Sequence, residues 1–159
     1  MIWCDLETAA PEVARLGKES FDRAGVALLG TLRRDGSPRI SPVGPCFAKG
    51  HLLFGVMSRS AKAHDLQRDP RCVLHSAVAE PDPEGEFKLY GRAREVRDPE
   101  LRDECTDAWW VSRPPEDAYV FSLTIEQAVF INWDTEHGLM TVREWSPEAG
   151  FSEIVRKYP

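Results

Sequence analysis

Residues 26–76 read VALLGTLRRDGSPRISPVGPCFAKGHLLFGVMSRSAKAHDLQRDPRCVLHS, and this stretch decides the fold. VALLGTLRR is a short run of apolar and β-compatible residues closed by Asp35-Gly36. PRISPVGPCF follows and ends at Lys49-Gly50, and HLLFGVMS comes next. The DG and KG pairs supply the positive φ angles that tight hairpin turns demand, so the pattern predicts successive antiparallel strands. RSAKAHDLQRDP then runs in small, helix-tolerant residues to Asp69-Pro70, which predicts a short helix capped by Ser58 or Ser60.

Downstream, RCVLHSAVA and EFKLYGRAREV read as two further strands separated by the acidic, proline-bearing loop EPDPEGE. Asp98-Pro99 is a favoured N-cap and N1 pair, so a second helix is expected within Arg97 to Ser112, stopping before Pro114-Pro115. AYVFSLTIEQAVFINW, GLMTVREW and FSEIVRK read as late strands, with a bend or bulge available at EQAVF. Upstream, Val13, Leu16, Ser20 and Phe21 fall near one side of a helical projection, with Leu6 and Ala9 a turn or two earlier. They predict one amphipathic helix over about residues 5–24, broken by Gly25.

The sum is about seven strands and two or three helices in one domain spanning residues 1–159. Many short antiparallel strands without βαβ alternation, and without G-x-G-x-x-G or G-K-[ST], argue against a dinucleotide-binding parallel sheet. Closure into a small barrel is the economical solution, because it removes sheet edges that would otherwise recruit other strands.

Composition narrows the partners. Lysine and arginine total 20 against 26 aspartate and glutamate, a formal charge of -6, which disfavours a nucleic-acid backbone as the main partner. MIWCDLETAAPEV lacks a basic leader and a long apolar core, and no apolar run reaches the roughly 18–20 residues of a membrane span. These features predict a soluble, cytoplasmic chain with no membrane partner. Cys4, Cys46, Cys72 and Cys105 are widely spaced and form no C-x-x-C, so they read as reduced thiols packed as small hydrophobes. His51, His64, His75 and His137 are scattered singly and suggest no metal site. Trp109-Trp110 and Trp145 could wall a substrate, although tryptophans in such positions more often fill a core or an interface.

One cluster carries chemistry. Arg39 and Ser41 alternate with Ile40 and Pro42, so on a strand both polar side chains point to one face. Ser58 and Ser60 end the next strand, and Lys62 falls in the first turn of the following helix, whose N-terminus offers free N–H groups and a positive dipole end. Spacing alone leaves two readings open: a phosphate site, or capping serines beside ordinary surface cations.

The combination of DG-x-P-R, S-x-S-x-K-A-x-x-L and D-P-R, within LGTLRRDGSPRISPV, GHLLFGVMSRSAKAHDLQRDPRCVLHS and KLYGRAREV, resembles the pyridoxamine 5′-phosphate oxidase-like family of FMN-binding proteins. The resemblance covers roughly residues 20 to 97. It implies a mainly β, α+β fold: a six-stranded antiparallel split β-barrel with flanking helices, two subunits packed side by side, and FMN in grooves at the homodimer interface. Arg39 and Lys62 would then grip the FMN phosphate with Ser58 and Ser60. Ile40, Ser41, Val56 and Met57 would border the ring or the ribityl chain, with backbone groups meeting the ring edge. Trp133 and Arg143 match the spacing of a tryptophan and an arginine that reach FMN from the partner subunit. The family's R-L-H-D-R motif for pyridoxal phosphate is replaced by TVREWSPEAG, and a commonly FMN-contacting glutamine by Glu86. The resemblance therefore implies an FMN-dependent oxidoreductase acting on a small molecule other than pyridoxamine phosphate, with no catalytic side chain singled out. Relatives that use deazaflavin F420 or haem, and a non-enzymatic flavin carrier, are the alternatives.

Overall fold

The computed structural model describes residues 1–77, 85–109 and 118–158. Most of the EPDPEGE loop, Trp110 and Pro114-Pro115 lie outside those residues. Among the described residues, strands β1 (Ala27–Leu32), β2 (Pro38–Val43), β3 (Pro45–Ala48) and β4 (His51–Met57) precede helix α3 (Ala61–Arg68). After it come β5 (Arg71–Ser76), β6 (Glu86–Glu95), α4 (Pro99–Trp109), β7 (Ala118–Asp134), β8 (Leu139–Ser146) and β9 (Gly150–Lys157). Two helices, α1 (Trp3–Ala9) and α2 (Pro11–Ala24), open the chain.

The single helix expected over residues 5–24 is thus two helices. Pro11 has no N–H to donate and forces the residue before it out of the helical region, which puts Ala10 at φ -145°, ψ 69°. Gly25 ends α2 at φ 63°, with its N–H donating to the Phe21 carbonyl. The expected helix stop at Asp69-Pro70 and the expected helix start at Asp98-Pro99 hold. Ser60 Oγ accepts from Ala63 N at 3.3 Å to cap α3, and Asp98 Oδ1 accepts from Glu100 N and Leu101 N to cap α4.

All pairings are antiparallel, in the order β2-β1-β5-β6-β7-β4-β3, with the β8–β9 hairpin continuing from β7. The two ends of that order, β2 and β3, are consecutive in the chain and separated only by Gly44. One bent passage therefore pairs with β1 through its first half and with β4 through its second. Counting it once gives the six strands of a split barrel, closed by the chain itself rather than by a ladder.

The inner face of this barrel holds Leu29, Phe54, Leu74, Phe87, Leu89 and Leu123, and α1 and α2 add Trp3, Leu6, Val13 and Phe21. Trp145 joins that core, as a packing residue. Helix α2 can lie this close because Gly17 faces Phe87: a Cβ at Gly17 would sit 2.3 Å from the Phe87 ring. The bend expected at EQAVF is a bulge. Tyr90 pairs with Gln127 and Gly91 with Ile125, so Glu126 is the extra residue. A second apolar seam lies on the outer face, where α4 brings Cys105 and Leu101 onto Cys46, Leu53, Val96 and Val120. Among the described residues no helix is long and apolar enough to cross a membrane.

Candidate functional site

The direction of β2 decides what the site can present. Arg33 N donates to Ser37 O at 2.8 Å, which fixes Thr31–Arg39 and Leu29–Ser41 as the hydrogen-bonded pairs of the β1–β2 ladder. The peptide groups of Pro38, Ile40 and Pro42 therefore point away from β1, toward the open edge. Two of those three are prolines, which lack an N–H and belong on an edge for that reason. Ile40 is left as the one residue of this run offering both a donor and an acceptor there. Its side chain, 72% exposed, lies on the outer face, opposite Arg39, Ser41 and the buried Val43.

Arg39 is held by a buried carboxylate. Its Nε donates to Asp65 Oδ2 at 2.6 Å, Thr31 Oγ1 donates to the same oxygen at 3.0 Å, and Arg68 Nη2 donates to Oδ1 at 3.2 Å. Burial by itself would raise the Asp65 pKa, but the hydrogen bonds from Arg39, Arg68 and Thr31 outweigh it and hold the carboxyl below its ordinary range. Arg68 also donates to the Leu32 carbonyl, so α3 is tied to β1 and β2 together. Lys62 Nζ donates to the Pro42 carbonyl at 2.7 Å, and burial lowers its pKa. In the first turn of α3 the Ala63 N–H is taken by Ser60, while those of Ala61 and Lys62 have no intrahelical acceptor. Two guanidiniums on one carboxylate leave one positive charge, and Lys62 adds another.

The structure thus gathers Arg39, Lys62 and the capping Ser60 around the junction of β2 and α3, with Ser58 in the turn just before the helix. It separates other expected site residues from them. The Val56 side chain is buried in the core, while that of Met57 is 42% exposed. Trp133 pairs with Met140 and Arg143 with Phe130 on the β7–β8 ladder. β4 meets β7 only over Ala118–Ser122, and at about 3.3 Å per residue the strand from Ser122 to Trp133 runs on the order of 35 Å. Arg143 is already partnered. Nη1 donates to Asn132 Oδ1 at 2.9 Å, and Nε lies 2.8 Å from Glu153 Oε2 and 3.7 Å from Glu12 Oε1 as ion pairs without hydrogen-bond geometry. Glu86 pairs with His75 at 3.4 Å and with Lys88.

A cavity of about 350 Å³ opens on the outer face beside Arg39, lined by Gly30, Leu32, Ile40, Arg71, Val73 and Tyr90. Its size falls at the low end of small-molecule sites, about 300–1,000 Å³, and its walls are mostly apolar. Around it Leu28, Ile40 and Tyr90 expose apolar surface. Sequence reasoning missed Asp65, Arg68, Arg59, Arg71 and Tyr90. Asp65 and Arg68 are one turn apart on α3, a spacing that pairs charges on a helix, but nothing in the sequence shows that β2 and β1 meet them there. Arg59 stands exposed between the two serines, the simplest signal of the set. His51, His75 and His137 each hold a hydrogen bond to a neighbouring side chain or carbonyl, and no group of three potential metal ligands occurs among the described residues.

Known proteins share this architecture. The family model described as pyridoxamine 5′-phosphate oxidase matches residues 17–132. No curated protein matches the sequence. Among solved structures, a pyridoxamine 5′-phosphate oxidase-related, FMN-binding protein from Nostoc punctiforme is 15% identical with a TM-score of 0.63, over 96% of this chain and 97% of that one. PhzG from Burkholderia lata, solved with tetrahydrophenazine-1-carboxylic acid, is 14% identical with a TM-score of 0.64, over 90% and 88%. A haem-binding protein from Mycobacterium smegmatis is 16% identical with a TM-score of 0.61, over 92% and 87%. At these identities the likeness is one of fold.

Proposed function

Because this chain belongs to the pyridoxamine 5′-phosphate oxidase-like family, we propose that it is an FMN-dependent oxidoreductase, working as a homodimer on a small molecule other than pyridoxamine phosphate. The observation that carries the reading is the net positive junction of β2 and α3, where Asp65 holds Arg39 and the Pro42 carbonyl holds Lys62, with Arg39 also lining an apolar cavity. The residues fit the two halves of the cofactor. A phosphate dianion needs charge-assisted donors already positioned, and Arg39 keeps its Nη groups while Asp65 fixes its Nε. Lys62 uses one of its three donors on Pro42, and an arriving anion would stabilise the charged form that burial disfavours. Ser58, Ser60 and the α3 N-terminus add neutral donors.

A flat ring system needs apolar walls and a few edge contacts. Ile40 supplies the donor and acceptor of the open β2 edge, Ser41 lies next to it, and Val56 contributes through its backbone because its side chain is in the core. When bound, the flavin supplies two-electron chemistry, and the protein's part is binding, orientation and exclusion of water. Exposed Leu28, Ile40, Met57 and Tyr90 support a second copy packing on this face. Its Trp133 and Arg143 would complete the groove, which accounts for their distance from Arg39 within one chain.

The test is an absorbance spectrum of the purified protein, then titration of the ligand-free form with FMN, deazaflavin F420 and haem in parallel. Tight FMN binding with a flavin spectrum, and steady oxidation of reduced nicotinamide, are expected. Preferential haem or deazaflavin binding would keep the fold and replace the chemistry. A bound flavin without turnover would make the protein a carrier.

A further inference from the structure

Four cysteines are free, and two of them face each other across the outer seam. Cys46 sits in β3 opposite Leu53, 8% exposed, and Cys105 sits in α4, 1% exposed. Both belong to one apolar cluster, and the Cys46 thiol donates at 3.7 Å to the carbonyl of Glu104, the residue next to Cys105, so the two cysteines are neighbours where α4 crosses the strand. Leu53, Val96 and Val120 surround them. A packing role alone would be met by any pair of small apolar residues.

We propose that Cys46 and Cys105 form a redox pair, in which a peroxide-class oxidant converts the two thiols into a disulfide that fastens α4 to β3. Cys46 is the attacking sulfur. It is the more accessible of the two, and the neighbouring Cys105 thiol outweighs burial to lower its pKa, which favours the thiolate on Cys46 over Cys105. That thiolate attacks one peroxide oxygen, the O–O bond breaks, and the released hydroxide takes up a proton to leave as water. Cys46 is then a sulfenic acid. The Cys105 sulfur, losing its proton, attacks Cys46 and displaces hydroxide, which also leaves as water. Two thiols and one hydrogen peroxide give one disulfide and two waters. Cys72 is the internal control: burial without a sulfur partner pushes its pKa up to about 12.

The proposal is independent of FMN binding. It is tested on the full-length protein by adding a small molar excess of hydrogen peroxide at pH 7.5, unfolding with iodoacetamide, and mapping non-reduced peptides by mass. The expected result is a peptide carrying the Cys46–Cys105 bond, with Cys72 alkylated. Cys46 and Cys105 both remaining alkylated, Cys46 stopping at a sulfinic or sulfonic acid, or a bond between any other two cysteines would overturn it. In Cys105→Ser, dimedone should trap a Cys46 sulfenic acid at least tenfold more than in the unsubstituted protein, and equal trapping would overturn the order of attack. The peptide map needs no variant, so a destabilised Cys105→Ser does not protect the proposal.

Discussion

Two arginine centres use opposite stoichiometry. At the junction of β2 and α3, one carboxylate, Asp65, serves two guanidiniums, Arg39 and Arg68. At the β7–β8 end, one guanidinium, Arg143, is shared by two carboxylates, Glu12 and Glu153. The first arrangement leaves positive charge unspent, and the second leaves negative charge. The same residue type is therefore a prospective anion receptor in one place and a tie between α2, β8 and β9 in the other. What separates them is the count of neighbouring charges, which a residue's own exposure does not reveal.

The sharpest way to break this contrast is to remove the unspent charge. Arg39→Ala combined with Lys62→Ala should weaken FMN binding by about 3 kcal/mol, on the order of 100-fold in Kd, in a fluorescence titration with the circular dichroism unchanged. Unaltered affinity with an intact fold would place the phosphate elsewhere. Asp65→Asn comes next, with an expected loss of about 2 kcal/mol in urea unfolding, less than for a fully buried pair because Arg39 and Arg68 are partly hydrated. The pH dependence has a definite sign. The folded Asp65 pKa lies below its unfolded value of about 3.9, so its contribution is present above that pH and lost as acid protonates the folded carboxylate. The acid limb of the stability profile should be shallower in Asp65→Asn, and an identical limb would remove Asp65 from the account. The smallest effect belongs to Arg143→Ala: about 1 kcal/mol of stability and less than a tenfold change in FMN affinity. A loss equal to that of the double variant would show that charge balance within one protomer does not rank the two centres.

Much of the fold was legible because its signals are local. The DG and KG turns, the Ser60 and Asp98 caps, and the shared face of Arg39 and Ser41 all follow from residues within a few positions of one another. Even the bulge at Glu126 was visible in EQAVF. The break at Pro11 was equally local, and it was overridden by an apolar periodicity that continues across it. What could not be read is long-range. Asp65 looks like any polar residue of a short helix until β1 and β2 arrive beside it, and then its burial and three hydrogen bonds follow together. Likewise, nothing near Arg143 announces that Glu12, from a different element, will neutralise it.

The bent passage through Gly44 also bears on how the molecule assembles. Pairings of β1 with β2, β3 with β4, β5 with β6, and β7 through β9 join neighbours in sequence and cost little chain entropy. Three ladders, β1 with β5, β6 with β7, and β4 with β7, join distant segments. Because β2 and β3 are one passage, the first two of these bring β4 and β7 to opposite sides of a loop that the covalent chain has nearly closed. The last ladder then forms within a tethered ring, at a fraction of the search it would need alone. Non-local pairing of this kind belongs with the slower-folding β topologies, and the tether lowers the closure entropy of the last ladder.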